Sequence, residues 1–140
     1  MRIPMRARDV PTRVATGAFI LHSGIEKWDA TEERAQMLHA AASAGLPLVG
    51  RIPPRRFGRL LAAGEIATGA ALLAPFVPAA LAGGALTLFS GALMTMYLRT
   101  PAMHKEGSVW PSPQGIAVSK DVWMLGIGLG LLLEAATERK

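Results

Sequence analysis

The chain has 140 residues, about half of them apolar, with 18% charged and a formal net charge of +5. That length suits a single domain, and the charged share lies below the roughly 25% usual in soluble domains. Cysteine is absent, which excludes disulfides, thiol redox chemistry and thiolate metal sites for this chain. The basic residues bracket apolar segments, which assigns them to anionic headgroups rather than to nucleic acid.

Residues 1–12 form a basic arm, with Arg2, Arg6 and Arg8 interrupted by Pro4 and Pro11. It is not read as a secretory signal. The apolar stretch after Arg13 soon meets Glu26 and Lys27, and no small-residue cleavage site follows. A first membrane helix is expected over about residues 12–28. Gly17 and Gly24 are seven apart and share a face on which another helix can approach closely. His22 and Glu26 are four apart and share a different face.

A short helix follows, over about residues 32–44. Thr31 can cap it, Glu32 and Glu33 suit the dipole of its first turn, and Gly45 followed by Pro47 stops it. Its apolar face is made of Met37, Leu38, Ala41, Ala42 and Ala44. It is too short and too polar to span, so it is expected as a surface helix, lying on the membrane or packed on the bundle. The connector to the next helix carries Arg51, Arg55, Arg56 and Arg59 around Pro53-Pro54. This is either a basic flank that anchors the helix or a patch for anionic lipid or a docking partner.

From Ile66 to Leu98 the chain has no Asp, Glu, Lys, Arg or His. This exceeds the roughly 18 residues that mark a membrane span, and one continuous helix would be about 50 Å long. Pro75 and Pro78 interrupt it, each removing a backbone donor. Two antiparallel helices are therefore expected, over about 57–74 and 78–99, the second ending at a boundary marked by Tyr97 and Arg99. Gly84 and Gly91, seven apart, mark a close-packing face. A loop with Pro101, Gly107, Pro111, Pro113 and Gly115 shows no metal-ligand spacing.

The last helix is expected over about 116–134, with Val122–Leu133 uncharged. Gly126 and Gly130 form a GxxxG pair for helix contact. A nucleotide-binding reading of these glycines is rejected, because they follow no strand. The expectation is thus an all-α integral membrane four-helix bundle with a short additional helix in the first long loop. Both termini fall on one side, and the basic residues beside the first helix lean that side toward the cytoplasm, with the chain multi-pass in the cell membrane.

The most informative residues are ionisable groups at membrane depth, since a lone carboxylate in lipid is costly and turns toward the bundle interior or a cavity. Glu65 is the strongest. Its partners are sought in Lys27, Lys120 and Asp121, and His22, Glu26 and Arg99 fall toward the same face, that of the two long loops. Three readings stay open: a buried Lys27–Glu65 pair that locks two helices, a polar pocket for a quinone headgroup, and a proton or solute pathway. There is no nucleophile–base constellation, metal site or phosphate loop. This favours a non-catalytic membrane subunit without an intrinsic cofactor.

Arg13, Gly17, Gly24 to Trp28, Gly64-Glu65 through Gly69, and Lys120-Asp121 opening the last apolar helix resemble the DoxX family of small bacterial membrane proteins. The resemblance spans about Arg13 to Leu133 and implies a four-helix membrane bundle. It also implies redox-linked work, as a subunit of a thiosulfate:quinone oxidoreductase or as scaffold of an oxidative-stress complex. Partners would then be the lipid bilayer, redox enzymes and possible further copies of the chain. It brings no agreed catalytic set, and Lys27, Gly64, Glu65 and Asp121 are the positions that match its pattern. The lack of cysteine argues against a sulfur relay through this chain.

Overall fold

A computed structural model describes residues 5–113, 115–119 and 121–138. Those residues are helical, without a strand; the sole β-bridge among them joins His104 and Pro111. A short turn at Ala7–Asp9 leads into α1 (Val10–Trp28), followed by α2 (Glu32–Gly45) and a turn at Pro47–Arg51. Then come α3 (Pro54–Leu73), α4 (Ala79–Arg99), a turn at Pro101–Met103, the single-turn α5 (Ile116–Ser119) and α6 (Asp121–Glu138).

Local chemistry explains the boundaries. The Thr31 hydroxyl accepts from the Arg34 N–H at 3.3 Å and caps α2. Helix α3 starts three residues before the expected position, because Pro54 suits a first helical residue, where its missing N–H has no partner to lose. Helix α3 ends at Leu73 and α4 starts after Pro78, so the two prolines set the turn between them.

The C-terminal end of α3 is capped from another helix. Arg13 of α1 is fully buried and donates from Nε to the Leu72 carbonyl (2.9 Å) and from Nη2 to the carbonyls of Ala71 (2.9 Å) and Ala74 (3.1 Å). The Ala71 and Leu72 carbonyls lie in the last turn, where a helix offers its own carbonyls no partner, and a cation there suits the helix dipole. The Ala74 carbonyl also accepts from the Val77 N–H at 3.1 Å.

Two antiparallel pairs make up most of the molecule, α1 on α3 and α4 on α6, and α3 packs along α4. Glycines let both pairs approach to backbone contact. A Cβ at Gly69 would lie 2.7 Å from the Leu21 nitrogen, and one at Gly24 would lie 2.9 Å from the Ile66 nitrogen. In the other pair, a Cβ at Gly83 would lie 2.9 Å from the Gly128 carbonyl oxygen. The expected α4 and α6 glycine faces differ from the observed ones. Gly84 and Gly91 make only ordinary contacts near 4 Å, and nothing approaches Gly126 or Gly130 within 4 Å. The spacing was visible, but the rotation of each helix about its axis is set by its partner.

Two apolar cores hold the pairs together. Ile20, Leu72, Ala82, Leu86 and Leu131 form one, drawn from α1, α3, α4 and α6. Ala42, Met96, Tyr97 and Met103 form the other, at the end carrying the long loops. Helix α2 closes that end by laying its small face, Ala35, Ala42 and Gly45, on α3 and α4. Arg8 pairs with Glu134 at the opposite end.

Large apolar side chains also cover the outside: Phe19 is 67% exposed and Leu88 78% exposed, while Ser90 and Arg13 inside are fully buried. Helix α4 is the one helix among the described residues that is long and apolar enough to cross a membrane. Helices α1 and α3 carry ionisable residues within their length, and α6 has Asp121, Glu134 and Glu138 toward its ends.

Candidate functional site

Between the two cores lies a cavity of about 380 Å³. Its walls are mainly apolar, with Phe19 and Ile20 from α1, Phe57 and Leu61 from α3, and Phe89 and Leu93 from α4. Its polar groups are Ser23 and Lys27 from α1, Glu65 from α3, Asp121 from α6, and Arg34 from α2 at the rim.

The polar centre follows from the α1–α3 packing. Gly24 lets the Glu65 Cβ and the Ile66 backbone nitrogen approach, which brings Lys27, one turn on, level with the Glu65 carboxylate. The Lys27 ammonium donates to Glu65 Oε1 at 2.8 Å and to Ser23 Oγ at 2.7 Å. Both charged side chains are shielded, at 15% and 7% exposure. Burial makes this pair far more consequential than a surface ion pair, since either member alone would be an uncompensated charge. The other Glu65 oxygen, Oε2, is buried and has no hydrogen-bond partner among the described residues.

Ser23 was not singled out from the sequence. Its signal was present, because it lies four residues before Lys27 and so shares its helical face. Arg13 was read as a basic residue on the side of the termini and as part of the family-like pattern; its role as a cap needs a contact with residues some sixty positions away, which no local pattern carries.

The remaining expected residues separate into three groups. Asp121 joins Lys27 and Glu65 at the cavity wall. His22 and Glu26 pair with each other at 3.2 Å, with side chains 73% and 53% exposed, on the outer face of α1. The structure therefore does not bring them to the cavity. Lys120 lies outside the described residues.

The arginine set is also divided. Arg55 and Arg59 line a second, smaller crevice of about 200 Å³, together with Lys27, Trp28, Asp29 and Gly58. The Arg59 guanidinium lies over the Trp28 ring, 5.3 Å from its centroid, within cation–π range. Arg51 and Arg56 are exposed and do not line it. Among the described residues no group of three or more His, Asp or Glu is placed to hold a metal ion.

Comparison of the chain with protein-family models, with curated proteins and with solved structures finds no match. The functional reading therefore rests on the site itself.

Proposed function

We propose that the chain is a DoxX-like integral membrane protein of the cell membrane, with α1, α3, α4 and α6 crossing the bilayer and the termini in the cytoplasm. In this reading it is a non-catalytic subunit or scaffold of a redox-linked complex, and its cavity takes a quinone-type headgroup. The four helices have 18 to 21 residues each, about 27 to 32 Å of helix, which matches the hydrocarbon thickness. Glycines sit at the closest helix approaches, while large apolar side chains such as Leu81, Leu88 and Leu133 face outward. That distribution suits helices packed in lipid, where burial of large apolar groups gives no advantage inside the protein.

The observation that carries the ligand reading is the unused hydrogen-bonding capacity at the Lys27–Glu65 pair. An ammonium has three donors, and Lys27 uses two, on Ser23 and Glu65. Glu65 Oε2 is left as a buried acceptor. One donor and one acceptor at the wall of an apolar cavity suit a headgroup that accepts when it is a quinone and donates when it is a quinol.

Membrane insertion is tested first by carbonate extraction; recovery of the chain in the aqueous fraction sinks the membrane reading. Ligand binding is then tested on detergent-purified, delipidated protein by titrating a short-chain quinone analogue against tryptophan fluorescence. We expect saturable quenching. It should weaken at least tenfold in Lys27→Met/Glu65→Leu, which removes both charges and keeps the volume. A flat wild-type titration removes the quinone assignment. Mass spectrometry of proteins retained in mild detergent tests the scaffold role, and the absence of any redox enzyme counts against it.

A further inference from the structure

We infer that the crevice at Trp28, Arg55 and Arg59 is a binding site for the phosphate of an anionic phospholipid. Arg55 and Arg59 are four residues apart on α3 and so project from one face. Gly58 between them is buried, and a Cβ built there would lie 3.7 Å from Ala35 of α2, so the floor of the crevice is formed by the backbone of α3 and a methyl group. The walls carry three cations, Lys27, Arg55 and Arg59, against one carboxylate, Asp29.

The ion pairs leave the two arginines available. Lys27 is committed to Glu65. Among the described residues neither Arg55 nor Arg59 has a carboxylate partner, and Arg59 is held in place by the Trp28 ring. Two guanidinium groups beside a concavity, one of them held by the Trp28 ring, suit a phosphate, whose oxygens match their planar forks and give charge-assisted hydrogen bonds stronger than neutral ones. The same chemistry fits free phosphate, and position favours lipid. The crevice lies where α1 ends and α3 begins, at the level of an interfacial tryptophan. Ile25, one turn before Trp28 on α1, is 53% exposed and offers apolar surface for an acyl chain. Lys27 lines both the crevice and the central cavity, so a lipid phosphate there lies next to the buried ion pair.

This inference rests on the membrane reading, which carbonate extraction tests separately. The binding experiment uses the whole chain, delipidated in mild detergent, and native mass spectrometry after adding phosphatidylglycerol or phosphatidylcholine. We expect phosphatidylglycerol adducts in roughly tenfold excess, consistent with one or two charge-assisted hydrogen bonds. Arg55→Gln/Arg59→Gln should abolish the preference, with its thermal melt confirming an intact fold. Arg51→Gln/Arg56→Gln should retain it. Equal loss in both double variants would show a diffuse basic surface and overturn the site. So would a membrane-bound wild type without preference. Displacement of phosphatidylglycerol by millimolar inorganic phosphate would overturn the lipid assignment and make free phosphate the ligand.

Discussion

The pairs α1/α3 and α4/α6 share a plan and differ in where their polar groups bond. Both are antiparallel and both bring glycine backbones together. In α4 two hydroxyls bond within the helix, Ser90 donating to the Leu86 carbonyl at 2.6 Å and Thr95 to the Gly91 carbonyl at 2.8 Å, while the Thr87 hydroxyl is buried without a partner among the described residues. In α1/α3 the polar bonds run between helices, from Arg13 to the α3 carbonyls and from Lys27 to Glu65. A hydroxyl bonded to its own helix does not tie that helix to a neighbour. A charge bonded across to a partner fixes both register and rotation. The difference explains why the polar centre of the candidate site, Lys27 with Glu65, gathers on α1/α3.

The largest expected effect breaks that cross-helix bond. Lys27→Met leaves Glu65 buried, charged and without its cation, and should cost about 3–5 kcal/mol of stability. Lys27→Met/Glu65→Leu should recover most of the loss, because a buried pair replaced by apolar side chains of similar volume is near neutral. On the other pair, Ser90→Ala removes only a local bond and should cost about 1 kcal/mol or less. Thermal melts in detergent give all three values. If the double variant is as unstable as Lys27→Met, the loss comes from packing, and the contrast between the pairs fails.

A smaller effect tests what the pairs have in common. A methyl group at Gly69 would meet the Leu21 nitrogen at 2.7 Å, and one at Gly128 would meet the Thr87 nitrogen at 2.9 Å. Neither neighbour is a flexible side-chain end, so the helices must separate, and Gly69→Ala and Gly128→Ala should each cost about 1–3 kcal/mol. Similar losses support a shared plan. A loss confined to Gly69→Ala would mean that α4/α6 is loosely packed and can adjust.

Much of this was readable from the residues. The uncharged run with Pro75 and Pro78 placed the α3–α4 turn, Thr31 and Gly45 bounded α2, and charge inside otherwise apolar helices singled out Lys27 and Glu65 as partners. What was hidden depends on helix rotation. On α1, Ser23 and Lys27 face the cavity while His22 and Glu26, one residue back in each case, face outward. A step of one residue turns a helix by about 100°, and polarity alone does not show which of two adjacent polar rows is inside. Here Gly17 and Gly24 hold the answer, since the glycine face must meet α3 and Lys27 follows that face.

The same rotation argument yields the smallest prediction, on α6. From spacing, Gly126 and Gly130 form the contact pair; in the fold it is Gly128 that touches α4, and Gly126 and Gly130 are exposed with nothing near them. Within the single chain, Gly126→Ala/Gly130→Ala should therefore clash with nothing. It should leave stability unchanged or raise it by up to about 1 kcal/mol per site, because alanine favours the helix over glycine. A fall in stability that depends on protein concentration would mean that these glycines contact a second copy of the chain. The outer face of α6 would then be an interface, and α6 would use glycine on two faces, one for α4 and one for its counterpart. Measuring the melt at two protein concentrations, with the mass in detergent by light scattering, separates these outcomes.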